Sequence, residues 1–163
     1  MGEWKQMKSV TRKALLAVLG VFAFAAFCGS SLGDVVVNEV ELGPPNNGTI
    51  WVELYNTGEN AVDLTGWTIK VENKPWVGPI ALSGSIEPKG FLVAEGKPSW
   101  VTNGNGTVYL LDAQGTVLDK TPEINDDRQN DFSYGRLPDG KNTNTKADFL
   151  YMKASKGQPN RLY

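Results

Sequence analysis

Hydrophobic residues are distributed differently in the first and the later part of the chain. Residues 14–33 contain no charged side chain and form one apolar run. After Gly33 the apolar residues occur in short β-rich runs, and each run ends at Gly, Pro, Asn or Asp. The later part shows no convincing helical periodicity. The pattern predicts an N-terminal helix within residues 1–33 and an all-β domain at 34–163.

The β-rich runs predict a series of short strands. These are Val35–Glu41, Ile50–Asn56, Trp67–Glu72, Trp76–Leu82, Phe91–Ala94, Val108–Leu111, Thr116–Leu118 and Phe132–Arg136, with a short addition at Val62–Leu64. Within "LLDAQGTVL", Gly115 is predicted to take the left-handed position of a three-residue hairpin loop. Short strands at this spacing are typical of an antiparallel sandwich or barrel, in which the apolar inner faces share one core.

From Thr121 onward the sequence predicts long loops and a C-terminal tail. The segments "TPEINDDRQND" and "LPDGKNTNTK" are rich in turn-forming residues and are predicted to be long loops. The tail from Ala147 to Tyr163 is predicted to wrap the domain through the apolar side chains of Phe149, Leu150 and Tyr151.

A carboxylate interrupts the apolar run Ile50–Asn56. Side chains alternate across a strand. The predicted core face therefore holds Ile50, Val52 and Leu54, and the opposite face holds Trp51, Glu53 and Tyr55. Glu53 is predicted to point outward, where it pairs with Lys70 or hydrogen bonds a neighbouring backbone group. A solvated or paired carboxylate is the preferred interpretation, and a ligand-facing carboxylate is the alternative.

The beginning of the chain has the features of an export signal. Residues 1–13 carry a net charge of +3 and precede the apolar run. As a helix, Ala14–Cys28 would reach only ~22 Å, short of the ~30 Å hydrocarbon core of a bilayer. A signal cleaved before Asp34 is therefore favoured over an uncleaved anchor ending at Gly33, with lipidation at Cys28 as a third alternative. The protein is predicted to be secreted or anchored on the outer face of the cytoplasmic membrane.

Composition removes several classes of chemistry. The chain has no histidine, and Cys28 is its one cysteine. This excludes Ser-His-Asp and Cys-His catalysis, ordinary zinc sites, and disulfides within 34–163. Carboxylate chemistry remains, and Glu39 and Glu53 lie on strands that are candidates for neighbours in one sheet. A hydrolase pair is the third-ranked interpretation, and no catalytic activity is predicted.

A calcium site is the one metal site that the sequence suggests. The segment "EINDDRQND" places oxygen ligands close together, namely Glu123, Asp126, Asp127, Asn130 and Asp131. Such hard ligands suit Ca²⁺. The spacing does not match the EF-hand loop, and Arg128 offsets part of the charge. A solvated acidic loop without a cofactor is preferred, and Ca²⁺ remains the alternative.

Three other surface features bear on what the domain could bind. Asn47 and Asn105 each begin an N-x-Thr sequence in a predicted loop and are candidate glycosylation sites. Residues 34–163 hold 17 acidic and 12 basic side chains, and this net charge of −5 disfavours nucleic acid. A local basic patch that contacts nucleic acid is the alternative, at Lys141, Lys146, Lys153 and Lys156. Large aromatic side chains are expected to be mostly buried in the core. An exposed platform that binds sugar or protein is the alternative for Trp51, Tyr55, Trp76 and Trp100.

The order of short motifs resembles the lamin tail domain family. The first strand contains Asn38-Glu39, the next contains Glu53-Leu54-Tyr55-Asn56, and a turn then leads to Asp63-Leu64-Thr65-Gly66-Trp67. Later segments also match, namely "IEPKGFLVAE", "TVYLLDAQGTVLD", "YGRLPDG" and "SKGQPN". The resemblance extends from about Val35 to Asn160, apart from Thr121–Asp131.

The resemblance implies an immunoglobulin-like sandwich that serves as an accessory or interaction domain and not as an enzyme. It also implies structural roles for the motif residues Asn38, Glu39, Glu53, Asn56, Asp63, Gly66 and Trp67. The prediction is a non-enzymatic, extracytoplasmic binding or scaffolding domain whose partner is another protein. A Ca²⁺- or carbohydrate-binding module is the alternative, and membrane contact is expected only through residues 1–33.

Overall fold

The computed structural model describes residues 34–72, 77–100 and 103–162. Within these ranges the chain forms β1 (Val35–Glu41), β2 (Trp51–Asn56), β3 (Val62–Asp63), β4 (Thr68–Glu72), β5 (Val77–Ala81), β6 (Ser85–Ile86), β7 (Phe91–Glu95), β8 (Asn105–Leu111), β9 (Val117–Lys120), β10 (Ile124–Asn125), β11 (Phe132–Arg136) and β12 (Phe149–Lys153). Single 3₁₀ turns occur at Pro45–Asn47 and Lys146–Asp148. The predicted helix within 1–33 lies outside the described residues.

Two antiparallel sheets form the body of the domain. The first has the strand order β12-β11-β1-β2-β7. The second has the order β10-β8-β4-β5, and β9 also pairs with β8. Strands β3 and β6 form a small separate pair. The architecture confirms the all-β part of the predicted fold class and is consistent with an immunoglobulin-like sandwich.

The core lies between the two sheets and is made of aliphatic side chains with few aromatics. It includes Val37, Val40, Val52 and Leu54 from the first sheet and Ile69, Val71, Val108 and Leu110 from the second. All of these are fully buried. Burial of apolar surface on this scale is the main stabilising contribution to a domain of this size.

The sequence pattern located most of the strands. The predicted bounds of Val35–Glu41 and Phe132–Arg136 are those observed, and Gly115 has the expected positive φ of 83° in the β8–β9 hairpin. Strands β6, β10 and β12 were missed. The first two have only two residues each, and β12 lies in the predicted wrapping tail. β12 instead extends the first sheet by pairing with β11.

A β-bulge in β1 determines which of its side chains face the core. The register with β2 shifts between Val37 and Glu39, so that Asn38 is an extra residue in the strand. Val37 and Val40 consequently both face the core, whereas Glu39 lies on the outer face of the sheet. Every residue of β1 is nevertheless buried, because the C-terminal segment (residues 154–160) and the turn at 137–140 lie over this outer face.

Candidate functional site

Glu39 and Glu53 face each other directly across β1 and β2. The two residues are Cα partners in the antiparallel register, and both side chains have 0 % exposure. The prediction that they lie on neighbouring strands is confirmed. The prediction that Glu53 is solvated or pairs with Lys70 is wrong, because the C-terminal segment covers the outer face at this point. The predicted alternative, a hydrogen bond to a backbone group, is observed at Gly157 N.

Glu39 holds the start of the C-terminal segment. Its carboxylate accepts hydrogen bonds from Ser155 N at 2.8 Å, from Ser155 Oγ at 3.0 Å, and from Ser133 Oγ on β11. Burial raises the pKa of Glu39, and these donated hydrogen bonds partly oppose that rise. The side chain therefore connects β1 to β11 and to the chain that follows β12.

Glu53 holds the same segment two residues later. Gly157 N donates to its carboxylate at 2.6 Å, and Asn38 Nδ2 donates at 3.1 Å. Burial raises the pKa of Glu53 to about 7, against the hydrogen bonds from Asn38 and Gly157. The nearby Glu39 carboxylate raises the pKa further, because two negative charges at this separation repel each other.

Asn38, the extra residue of the bulge, connects the Glu53 carboxylate to the closing turns. Its amide donates to Asp139 Oδ1 at 2.9 Å, and its Oδ1 accepts from Gly140 N at 2.9 Å. Asn160 N donates to the same Asp139 oxygen at 3.0 Å, and Asn160 Nδ2 donates to Arg136 O at 3.0 Å. The outer face of β1 is thus a continuous hydrogen-bonded network that fixes both turns to the sheet.

A buried guanidinium forms a second polar centre, at Arg136. Its Nη2 contacts both oxygens of Asp119 at 3.0 and 3.2 Å, and its Nε donates to Val37 O at 2.7 Å. The guanidinium also lies 4.5 Å from the ring centroid of Phe149. The exposure of Arg136 is 1 %. The positive charge is paired with Asp119 inside the fold, and the Arg136 side chain joins β11 to β1 and β9.

Glu41 and Asp126 form a third buried group, where the acidic segment meets the end of β1. Asp126 Oδ2 accepts hydrogen bonds from Leu42 N and Gly43 N, each at 3.1 Å. Burial raises the pKa of Glu41, and the adjacent Asp126 carboxylate, to which Glu41 is hydrogen bonded, raises it further. The buried Asp126 Oδ1 has no protein N–H donor.

The structure does not bring the predicted calcium ligands together. Asp126 is buried, whereas Glu123 and Asp127 are exposed. Asp131 is exposed as well and lies 3.1 Å from Lys153 Nζ. Within the described ranges, no group of three or more His, Cys, Asp or Glu side chains is arranged to hold a metal ion. Among the carboxylates of the loop, the preferred prediction of a solvated position fails for Asp126, which holds the loop to Leu42 N and Gly43 N just after β1.

The two candidate glycosylation sites differ in their surroundings. Asn47 is exposed in the first 3₁₀ turn, with a φ of 54°. Asn105 is half-buried, is the first residue of β8, and pairs with Asn125 of β10. The predicted loop position of Asn105 is therefore wrong, because β10 was not predicted.

The candidate aromatic platform is largely used for packing. Trp51 is 6 % exposed, and Trp100 packs against the core with Lys97 Nζ 5.8 Å from its ring centroid. Tyr55 is half-buried, with its ring centroid 4.8 Å from that of Phe91. Trp76 lies outside the described residues.

Sequence reasoning missed another group of aromatic rings, on β11 and β12. The centroid of Tyr151 lies 5.4 Å from that of Phe132 and 5.0 Å from that of Tyr134. The guanidinium of Arg128 lies 5.0 Å from the Tyr151 ring. The signal was present in the alternating Phe-Ser-Tyr and Phe-Leu-Tyr sequences, but only strand pairing shows that they are adjacent.

The motif residues between β2 and β4 have structural roles that their hydrogen bonds and backbone conformation explain. Asn56 donates to Asn60 O at 2.7 Å and to Ile86 O at 3.1 Å, and thereby holds two loops. Asp63 accepts from Thr65 N at 2.9 Å, and Gly66 has a positive φ of 82° that favours glycine. Trp67 then enters the core at 6 % exposure. A family model, the lamin tail domain, matches residues 29–124, which is more than half of the chain.

The chain belongs to the lamin tail domain family. The part of the chain that matches the lamin tail domain model ends at Ile124. Strands β11 and β12 and the C-terminal segment lie beyond it. These later elements still complete the first sheet, because β11 pairs with β1. The comparison with curated proteins found no match for the chain. Among the residues that the structure describes, no helix has the length and apolar character needed to cross a membrane.

Proposed function

We propose that the protein is a non-enzymatic, extracytoplasmic binding or scaffolding domain whose partner is another protein. Membership in the lamin tail domain family supports an interaction domain of immunoglobulin-like fold. A fold of this kind acts through its surface, and the family alone does not name the partner.

The use made of Glu39 and Glu53 is the observation that carries the proposal. A glycoside hydrolase needs two carboxyl groups that reach the substrate from opposite sides. Here both carboxyl groups have 0 % exposure and accept hydrogen bonds from the C-terminal segment. Glu39 and Glu53 therefore hold the C-terminal segment on the sheet and are not placed to reach a substrate. This favours an interaction role over a hydrolase.

The extracytoplasmic location rests on residues 1–33. The basic start and the apolar run of Ala14–Cys28 have the order of an export signal, and Ser31 and Gly33 suit cleavage before Asp34. With the leader removed, the remaining domain contains no cysteine, so its folding is independent of the redox state of the compartment.

Cross-linking on intact cells tests this proposal. The full chain with a C-terminal epitope is expressed in its native host, and a membrane-impermeant cross-linker is added. The expected result is a discrete adduct between the chain and a protein, formed without breaking the cells. An adduct that appears only after lysis, or no adduct at all, would contradict the proposal.

Carbohydrate binding is a second candidate, which the aromatic group of β11 and β12 favours. Phe132 is 37 % exposed and is stacked on Tyr151, and sugar rings pack on such faces. Calorimetric titration with envelope polysaccharide of the native host tests it. Heat that is abolished in Phe132→Ala and kept in Val117→Ala, another exposed apolar position, would support this function.

A further inference from the structure

A cavity opens between the end of β9, the end of β11 and the turn that precedes β12. Its volume is about 280 Å³. A cavity of ~150 Å³ accommodates a benzene ring, so this one has room for a six-membered ring with polar substituents. It is lined by buried residues, among them Arg136, Asp148 and Phe149, and by exposed residues, among them Lys120, Asn144 and Lys146.

The buried charges behind and within this cavity balance one another. Arg136 Nη2 lies 3.0 Å from Asp119 Oδ2, and Arg136 Nη1 lies 3.5 Å from Asp148 Oδ2. Lys141 Nζ lies 3.6 Å from the other carboxylate oxygen of Asp148. Two carboxylates therefore face two positive groups, and these four side chains leave the cavity without a net charge of their own.

Two further lysines, Lys120 and Lys146, make the opening of the cavity positive. Among the described residues, neither lysine forms an ion pair with a carboxylate. The other members of the predicted basic patch are each paired with a carboxylate, namely Lys141, Lys153 and Lys156. The unpaired positive charge of this region thus lies at a cavity and is not spread over a surface patch, which favours a small anion over nucleic acid.

Polar and apolar groups beside the two lysines suit a ligand that is more than a bare anion. Asn144 has a left-handed backbone with a φ of 57°, and its side-chain amide makes no hydrogen bond to a described residue. The Thr145 side chain also lines the cavity, and Pro122 and Phe149 add apolar surface on which a sugar ring can pack. A bare oxyanion or an acidic protein side chain would leave most of this space unfilled.

We propose that this cavity binds a sugar acid, which is a six-membered sugar ring that carries a carboxylate. Lys120 and Lys146 pair with the carboxylate, and the Asn144 amide hydrogen bonds to the ring hydroxyl groups. Phe149 packs against the ring. Free monosaccharides and the residues of an acidic polysaccharide share this chemistry. The site lies at the opposite end of β11 from Phe132, and it does not depend on the binding of a partner protein.

The exposed positions allow variants that leave the core unchanged. The double variant Lys120→Gln with Lys146→Gln removes both unpaired charges and keeps side chains of similar shape. Lys70→Gln, at another exposed lysine without an ion pair among the described residues, is the matched control. Asn144→Gly removes the amide, and glycine adopts the left-handed backbone of this position without strain.

The probes are glucuronate and galacturonate, titrated into the purified full chain in a detergent without a sugar head group. Amide chemical shifts measured by NMR report where each ligand binds. We expect saturable shifts in residues 120–122 and 142–149, with a dissociation constant of about 1 mM, the affinity typical of a ligand with so few atoms. Glucose and galactose, which have the same rings without the carboxylate, should bind more weakly.

The variants should separate the contributions of charge and amide. The double lysine variant should bind glucuronate about tenfold more weakly, the change expected when two exposed ion pairs are lost. Asn144→Gly should weaken binding as well, whereas Lys70→Gln should match the wild-type chain. A short galacturonate oligomer distinguishes the two sources. Tighter binding of the oligomer assigns the site to a polysaccharide, and equal or weaker binding assigns it to a free monosaccharide.

Several results would overturn the inference. They are an absence of saturable shifts around the cavity, equal binding of glucose and glucuronate, and unchanged affinity in the double lysine variant. Acetate tests the role of the ring, and acetate binding at the cavity with the affinity of glucuronate would rule out a site for sugar acids. Binding of glucuronate that Phe132→Ala abolishes would place the sugar on the aromatic group of β11 and β12 instead.

Discussion

The carboxylates of Glu39 and Glu53 are direct cross-strand neighbours that are both sealed from solvent, and each one accepts a backbone N–H of the C-terminal segment. Like charges placed directly opposite each other on a sheet normally destabilise it. Here the hydrogen bonds from Ser155 and Gly157 stabilise the two charges, whereas burial is the main cause that raises the pKa of both groups.

The domain is expected to be most stable in mildly acidic solution. Burial raises the pKa of Glu39 and Glu41, and raises that of Glu53 to about 7. Folding therefore takes up protons, and the stability contributed by these groups is full below a pH of about 4.5. It is lost as the pH rises through the folded pKa values, which are about 7 for Glu53 and about 9 for Glu41. Denaturant unfolding between pH 5 and pH 9 should show a falling free energy of unfolding.

Glu53→Gln is the control for this pH dependence. Glutamine has nearly the same size and keeps one acceptor oxygen, but it does not titrate. The variant should show a shallower fall in stability between pH 5 and pH 8 than the wild-type chain. An unchanged slope would mean that Glu53 does not titrate in this range.

At the acidic limit the dependence should reverse. Burial tends to raise the pKa of Asp148, but hydrogen bonds from Thr143 and Thr145 and the charge of Arg136 hold it below its usual range. This contribution to stability is present above the ordinary carboxyl pKa and is lost as the pH falls through the lower folded value. Unfolding measured from pH 5 down to pH 2 should therefore show declining stability, which Asp148→Asn should weaken.

Glu39→Ala should release the C-terminal segment before the rest of the domain. The change leaves Ser155 N and the buried Ser133 hydroxyl without their acceptor. We expect a loss of ~2–4 kcal/mol in denaturant unfolding, from the lost hydrogen bonds and the cavity. Hydrogen exchange should accelerate first in residues 154–160. Glu123→Ala, at an exposed position, should lie within about 0.5 kcal/mol of wild type.

Removal of Arg136 should be severe, because it leaves Asp119 buried without its partner charge. Arg136→Ala is expected to cost ~3–5 kcal/mol. The double variant Arg136→Met with Asp119→Leu removes both charges and should cost less than the sum of the two single changes. A double-mutant cycle measures this coupling, and strict additivity would contradict the assignment of a paired buried charge.

Gly104 and Gly115 allow the cost of a steric clash to be separated from the cost of backbone strain. Both have a positive φ, of 78° and 83°. A Cβ at Gly104 would lie 2.1 Å from Asp126 O, whereas a Cβ at Gly115 has no atom within 4 Å. Gly115→Ala should cost only the strain of the left-handed backbone, about 1 kcal/mol. Gly104→Ala should cost clearly more in the same unfolding assay, because the strand and the acidic segment must move apart.

Millimolar Ca²⁺ should leave the melting temperature unchanged. Asp126 already accepts two backbone N–H groups, and Asp131 pairs with Lys153. A cation that binds the folded state would raise the melting temperature, and the rise would grow with the cation concentration. A Ca²⁺-dependent rise that disappears in Asp127→Asn would show that the acidic loop rearranges to bind the ion.

The sequence determined the class of fold and most of the strands. Alternation of apolar and polar residues is a local signal, as are the turn residues between the runs, so β1, β2 and β11 and the hairpin at Gly115 were predictable from short windows. The absence of histidine and the single cysteine likewise restricted the chemistry without any structure.

Only the tertiary structure decided the roles of the carboxylates. The alternation of side chains along β2 shows that Glu53 lies on the other face of the sheet from Val52 and Leu54. It does not show which segment covers that outer face. The covering residue Gly157 is 104 positions away, and Ser155 is 116 positions from Glu39. Burial and pKa depend on such long-range contacts, because desolvation is set by every segment that packs around a group and not by its neighbours in sequence.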